Sequence, residues 1–150
     1  MNPLVPPPVV VAIVGVVMWA VDRKLELGKF ESALQAPVAG VLLIAGLLLM
    51  FVAVGAFVAA RTTINPLKPS RASSLITTGI FRISRNPIYL GDLLILAALA
   101  VWLGNVVNVV LLILFVWYVN RFQIIPEQRA LTKLFGESYA AYCSRVRRWL

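Results

Sequence analysis

The feature that most constrains this chain is a run of 29 residues, 32–60, in which no side chain is charged. A helix needs roughly 20 apolar residues to cross the hydrocarbon core of a bilayer. A second uncharged run, residues 93–120, is 28 residues long. Uncharged runs of this length are unusual in a soluble domain, and they predict an integral membrane protein.

The composition supports this prediction. Hydrophobic residues make up 61% of the 150-residue chain and charged residues 13%, whereas a soluble domain is about a quarter charged. The formal net charge is +8, but the basic residues lie between apolar runs, which is typical of membrane loops. We therefore predict no nucleic-acid partner. With no histidine and with Cys143 as the single cysteine, Ser-His and Cys-His catalysis are excluded, and we predict no metal site.

The apolar runs divide into four predicted membrane spans. A single helix over the 28-residue run would be about 42 Å long, and Gly104-Asn105 in its middle is typical of a turn. We therefore expect this run to form a short helical hairpin. The predicted spans are about residues 9–21, 33–60, 87–103 and 106–124.

The placement of basic residues favours four spans over three. Eleven of the 14 basic residues lie in the loop after residue 60 or after residue 120. Four spans put the loop 61–86 and the tail 126–150 on the same side of the membrane, whereas three would separate them. Basic loops face the cytoplasm, so we predict cytoplasmic N- and C-termini.

The tail 126–150 is amphipathic, with apolar residues at helical spacing, and Gly136 is expected to divide it into two helices. The predicted fold is an all-α membrane protein, a single domain over residues 1–150. It has about four transmembrane helices, of which the last two form the hairpin, and a C-terminal amphipathic cytoplasmic segment.

The first candidate site lies around Arg85-Asn86-Pro87, directly before the third predicted span. Asn86 is a good N-cap residue, and Pro87 suits the first helical position. The free N–H groups of such a helix start attract anions, and Arg85 adds a positive charge that can bind a carboxylate or a phosphate. The alternative is a capped helix with an arginine that extends to the membrane surface.

Two acidic residues are further candidates. Asp92 lies one turn into the third span, where an ionisable group is a functional candidate by default. Alternatively, it is favoured by the helix dipole or is the partner of Arg85 or Arg121. Glu127 follows the fourth span. If the third and fourth spans pack side by side, Glu127 shares a face with Arg85, and the two segments define one site at the cytoplasmic interface.

Two segments carry a family resemblance. Residues 74–91 contain Thr-Gly-Ile-Phe-Arg and Arg-Asn-Pro-Ile-Tyr-Leu-Gly, and the second segment begins with Glu-Gln-Arg-Ala-Leu at residue 127. In this order and spacing, they resemble the membrane methyltransferases of the isoprenylcysteine carboxyl methyltransferase and phospholipid methyltransferase group. The resemblance covers about residues 61–150.

The resemblance implies S-adenosylmethionine as the methyl donor and a membrane lipid, or another lipidated or hydrophobic molecule, as the acceptor. Carried over by position, Arg85 holds the donor carboxylate, and Tyr89 packs on the donor or orients the acceptor. Glu127 binds a donor hydroxyl or amine, or serves as a base. These three residues are the implied catalytic set. The implied cofactor-binding residues are Gly79, Phe81, Arg85, Asn86, Pro87, Tyr89, Leu90, Gly91, Glu127 and Gln128.

Two positions depart from the family pattern: Asn86 replaces a frequent histidine, and Gln128 replaces a second glutamate. Asparagine forms hydrogen bonds but cannot act as a base. Two alternatives therefore stay open: a nicotinamide-dependent membrane reductase of the sterol reductase type, and a non-catalytic membrane protein with a degenerate cofactor site. The identity of the acceptor and the oligomeric state are also open.

Overall fold

The structure, a computed structural model, describes residues 5–61 and 74–150, and these residues are helical without a β-sheet. The all-α class is thus confirmed. Residues 62–73, which are the first half of the predicted loop 61–86 apart from Arg61, lie outside the described residues. The helices are α1 Pro7–Lys24, α2 Gln35–Ala59, the 3-10 helix Gly79–Arg82, α3 Pro87–Leu103, α4 Asn108–Val119, a π-helical turn Asn120–Ile124 and α5 Ile125–Arg145.

Within residues 5–61 and 74–150, two helices are long and apolar enough to cross a membrane: α2, with a mean hydropathy of 2.9, and the continuous helix Asn108–Arg145. In the latter the apolar residues lie in α4, while α5 carries polar and charged residues, so we take the apolar part to end at Ile124. α3 is apolar but has only 17 residues, and α1 ends in charged residues. The count of four spans and their orientation stay predictions.

The helices α2 and α3 pack along one another with two glycines at their closest approach. A Cβ atom on Gly46 would lie 2.9 Å from the carbonyl oxygen of Gly91, and the reverse distance is also 2.9 Å. Small residues let helix backbones approach in this way. By contrast, a Cβ atom on Gly40 or Gly55 would meet no atom within 4 Å. The buried Gly46 thus serves packing within the chain.

The turn between α3 and α4 lies where the sequence predicts it. Gly104 ends α3 with a φ of +64°, which favours glycine. A Cβ atom there would lie 2.6 Å from the Nε2 atom of Gln35. Next to it, the buried Asn105 donates a hydrogen bond from Nδ2 to the Leu25 carbonyl at 3.0 Å. The α1–α2 connection is thereby fixed to the hairpin turn.

The π-helical turn carries the chain from α4 into α5 without a break, with Pro126 in the first turn of α5. At Gly136 the backbone leaves the helical region, with φ 51° and ψ −123°, as the sequence predicts. After α5, the chain returns to the start of α3, where the Arg85 N–H donates to the Arg147 carbonyl at 3.1 Å. This return forms an apolar cluster, whose buried members are Ala53, Phe81, Tyr139, Tyr142 and Val146.

Candidate functional site at the start of the third helix

The start of α3 is fixed by hydrogen bonds to distant parts of the chain. Asn86 is at the N-cap position and Pro87 is the first helical residue, as the sequence predicts. The Asn86 side chain, however, makes no capping hydrogen bond at this helix start. Instead, Asn86 Nδ2 donates to the Arg148 carbonyl at 2.8 Å. The side chain therefore anchors the C-terminal chain.

The 3-10 helix before α3 places an aromatic ring beside α2. Phe81 is buried, and its ring packs edge-on against Phe57 with the centroids 5.4 Å apart. The Tyr142 hydroxyl donates to the Phe81 carbonyl at 2.6 Å. Gly79, at the start of this segment, has a φ of +59° and its Cβ position faces open space. The segment thus forms an apolar wall next to Arg85.

Among the hydrogen bonds between the two segments that carry the family resemblance, one connects the starts of α3 and α5. The hydroxyl of Tyr89, in α3, donates to Glu127 Oε1, in α5, at 3.1 Å. Tyr89 is buried, and the π-helical turn positions α5 so that Glu127 reaches it. Residues 38 positions apart in the sequence therefore meet at the end of the α3–α4 hairpin.

These residues enclose a cavity of about 210 Å³. Its walls are mostly apolar and come from the start of α1, from α2, from the 3-10 helix and from the first turns of α3. Its polar groups are two carboxyl groups, one guanidinium group, one side-chain amide and one phenol. The lining residues are Pro7, Pro8, Met50, Phe57, Phe81, Arg85, Asn86, Pro87, Ile88, Tyr89, Asp92 and Glu127.

Arg85 lies at the cavity wall between α3 and the tail. Its Nη1 atom donates to the Cys143 sulfur, while its Nε atom is buried without a hydrogen-bond partner among the described residues. An unpaired buried donor carries a desolvation cost. Arg85 can therefore offer a hydrogen bond to an anionic ligand.

The comparison with known proteins gives this geometry a family context. The profile of the phospholipid methyltransferase family matches residues 34–138, which include α2, the Tyr89–Glu127 contact and all of the cavity lining except Pro7 and Pro8. The chain belongs to the phospholipid methyltransferase family. The predicted resemblance is thus confirmed.

Two relatives extend this assignment. An uncharacterized protein of Haemophilus influenzae is 44% identical over 63 residues, which are 42% of this chain and all of that protein. The protein-S-isoprenylcysteine O-methyltransferase of Schizosaccharomyces pombe is 32% identical over 79 residues, which are 53% of this chain. The matched part is 34% of the length of the fission yeast enzyme. No solved structure matches the chain.

Membership of this methyltransferase family agrees with an enzyme that transfers methyl groups in a membrane. Of the ten residues that the resemblance implies as cofactor-binding, six line the cavity: Phe81, Arg85, Asn86, Pro87, Tyr89 and Glu127. The other four, Gly79, Leu90, Gly91 and Gln128, do not. Gly91 packs against Gly46 of α2, and Gln128 accepts a hydrogen bond from Arg148.

The sequence did not indicate the α2 contribution to the cavity. Met50 and Phe57 line it, but they lie in a helix that is apolar on all sides, so no periodic pattern distinguishes the face that contacts the site. The same holds for Pro7 and Pro8, which the sequence marks only as a helix start. Their role becomes visible only when α1 and α2 are packed on α3.

The two acids of the cavity have different surroundings. Asp92 is buried, lines the cavity and forms no ion pair with Arg85 or Arg121 among the described residues. The alternative that it is the partner of either arginine is therefore wrong. Glu127 lies beyond the apolar part of its helix. Burial raises the pKa of the Glu127 carboxyl to about 8, and the hydrogen bond from Tyr89 offsets this only in part. A cation in the cavity would lower that pKa again.

Proposed function

We propose that this chain transfers a methyl group from S-adenosylmethionine to a lipid-like acceptor at the cytoplasmic membrane interface. The observation that carries the proposal is the Tyr89–Glu127 hydrogen bond. It joins the two segments of the family resemblance across one cavity. Family membership supports methyl transfer as the reaction class.

The residues of the cavity fit this donor by their chemistry. Arg85 has an unpaired buried N–H group, which suits a carboxylate. Glu127 offers an acceptor for a hydroxyl or an amine, and the rings of Phe57 and Phe81 give an apolar wall. When bound, S-adenosylmethionine supplies an electrophilic methyl group on a positively charged sulfur. The protein's main task is then to align donor and acceptor.

The acceptor would approach from the α2 side, where the cavity wall is apolar. Met50 and Phe57 form this wall, and α2 is the most apolar candidate span. An acceptor that is a carboxylate needs no base. An acceptor with an amine or a thiol must lose a proton, and Glu127 and Asp92 are the carboxylates that line the cavity.

The direct test is calorimetric titration of the detergent-purified chain with S-adenosylmethionine. We expect saturable binding in the native protein and a loss of roughly tenfold or more in affinity for Glu127→Ala and for Arg85→Ala, because each removes a charge-assisted hydrogen bond. Matched controls are Glu137→Ala and Arg82→Ala. Both are exposed and outside the cavity lining, so affinity should stay within twofold.

Binding that is absent in the folded native protein would refute the proposal. The titration would then be repeated with a nicotinamide dinucleotide, because its binding would support the alternative of a membrane reductase. Failure to bind either ligand would favour a non-catalytic membrane protein that retains the family fold. Equal losses in the cavity variants and in their controls would show that the effect is not specific to the site.

A further inference from the structure

The last five residues of the chain, 146–150, which we call the C-terminal segment, fold back over the start of α3. Val146 is buried in the apolar cluster beside Phe81. The Arg148 carbonyl then accepts a hydrogen bond from Asn86 Nδ2 at 2.8 Å. With the Arg85–Arg147 backbone bond, the segment is fixed to one wall of the cavity.

The same segment also reaches the start of α5 and the π-helical turn. Arg148 Nη2 donates to Gln128 Oε1 at 3.1 Å, and Gln128 directly follows Glu127. One residue further, Trp149 Nε1 donates to Asn120 Oδ1 at 3.3 Å, in the π-helical turn. Arg148 therefore contacts both the α3 start, through its carbonyl, and the α5 start, through its side chain.

We propose that Arg148 is a positioning residue that holds the α3 and α5 starts together, so that docking of the C-terminal segment and binding of the methyl donor depend on each other. The proposal rests on the proposed function for the identity of the donor. It assigns to Arg148 no contact with the donor or the acceptor. Its effect is transmitted through Asn86 and through Gln128.

The coupling that we propose follows from the sequence separation of the residues that Arg148 connects. The Asn86–Arg148 bond joins residues 62 positions apart, and the Arg148–Gln128 bond joins residues 20 positions apart. Without them, the starts of α3 and α5 are joined directly by the Tyr89–Glu127 bond. The joint is also incompletely satisfied, because Arg148 Nε and Gln128 Nε2 are buried without partners among the described residues. A joint of this kind can open, and a ligand that requires both helix starts will favour its closed form.

The dependence of segment docking and donor binding on each other can be measured from either side. If the docked segment increases donor affinity, the donor must stabilise docking by the same factor. Trypsin cleaves after arginine, so the rate at which residues 148–150 are released reports undocking of the segment. We expect saturating S-adenosylmethionine to slow this release roughly tenfold in the native protein, as measured by mass spectrometry of the detergent-solubilised chain.

The proposal is tested with matched substitutions of two arginines that are close in the sequence, Arg148 and Arg145. Arg148→Ala should weaken S-adenosylmethionine binding roughly tenfold, the loss expected for one charge-assisted hydrogen bond, and Arg148→Lys should recover part of it. Arg145→Ala removes the same charge from an exposed side chain that bonds only to a carbonyl of its own helix, and it should leave affinity within twofold. Both alanine variants should unfold at similar temperatures, which separates positioning from general stability.

A second arm tests the joint without any donor. Gln128→Ala and Asn86→Ala should each accelerate release of residues 148–150, because each removes one anchor of the segment. Release at the native rate in both variants would overturn the proposal, as would donor binding that leaves the release rate unchanged. If the native protein binds no S-adenosylmethionine while both variants release the segment faster, the proposed function fails and the coupling to the donor fails with it, but the joint stands.

Discussion

The two ends of α3 contain similar residue types but use them differently. At the Gly104 end, polar side chains bond to the backbone: Gln35 Nε2 donates to the Trp102 carbonyl at 2.9 Å, and Asn105 Nδ2 donates to the Leu25 carbonyl. At the Asn86 end, some side chains also bond to the backbone, but others bond to one another, as in the Tyr89–Glu127 and Arg85–Cys143 pairs. Several of the side chains at that end also line the cavity.

The Gly104 end of α3, which we call the closed end, therefore holds neighbouring segments in place. The Asn86 end, which we call the site end, forms the candidate site. Side chains that satisfy backbone groups fix a turn and have little left to offer a ligand. Side chains that bond to one another can exchange those bonds for bonds to a ligand, and their charged or unpaired atoms make such an exchange favourable. We therefore expect substitutions at the Gly104 end to change the free energy of unfolding, and substitutions at the Asn86 end to change donor binding.

The largest effect is expected at the closed end. Gly104→Ala places a Cβ atom against Gln35 and against the Phe30 carbonyl, at a positive φ. Strain and overlap together should lower the free energy of unfolding by about 3 kcal/mol. The measurement is thermal unfolding in detergent, with Gly55→Ala as the control, because a Cβ atom there meets open space. An equal loss in both variants would contradict the closure role.

The next effect concerns pH at the site end. The pKa of Glu127 is raised to about 8, so between about pH 4.5 and 8 the folded protein holds this proton more tightly than the unfolded chain does. The contribution of Glu127 to stability is therefore full below about pH 4.5 and is lost as the pH rises toward 8. Glu127→Gln should remove this decline.

The pH experiment compares unfolding temperatures of the native protein and the variant at several values between pH 5 and 8. Glu137→Gln is the control, since this acid is exposed on the same helix. Its pH dependence should match that of the native protein. A Glu127→Gln profile that declines like the native one would mean that Glu127 is not the group responsible.

The features that can be predicted from the sequence are those that depend on local signals. The α3 bounds and the Gly104-Asn105 turn are predictable because a turn residue interrupts an uncharged run too long for one helix, and Gly136 marks the kink of α5. Each of these signals is local. The pairing of Arg85 and Glu127 segments is also expected, once the third and fourth spans are taken as a hairpin.

The remaining contacts are not predictable because their partners leave no trace in the sequence. The Asn86 side chain bonds to a backbone carbonyl, which any residue would supply. The π-helical turn over residues 120–124 sets the direction of α5, but a π turn has no reliable sequence pattern. Met50 and Phe57 reach the cavity from a helix that is apolar all round.

A smaller effect is expected for the bond that joins the two segments at the site. Tyr89→Phe removes the hydroxyl that donates to Glu127 and leaves the ring in place. Donor affinity should fall about fivefold, the equivalent of one hydrogen bond of about 1 kcal/mol. Calorimetric titration measures this change in affinity. Tyr118→Phe is the control, because Tyr118 lies in α4 and its ring packs on Phe122 of the π-helical turn. Unchanged affinity for Tyr89→Phe would place the bond outside the donor site.

The smallest effect tests whether contacts one step behind the cavity matter. Arg85 Nη1 donates to the sulfur of Cys143, in α5, and a thiol is a weak acceptor. Cys143→Val removes this acceptor at similar volume and should weaken donor binding two- to threefold, because Arg85 is then held less firmly. Cys143→Ser keeps an acceptor and should stay nearer the native affinity. If both variants bind the donor equally well, the sulfur does not position Arg85, and the side-chain bonds that define the site end stop at the cavity wall.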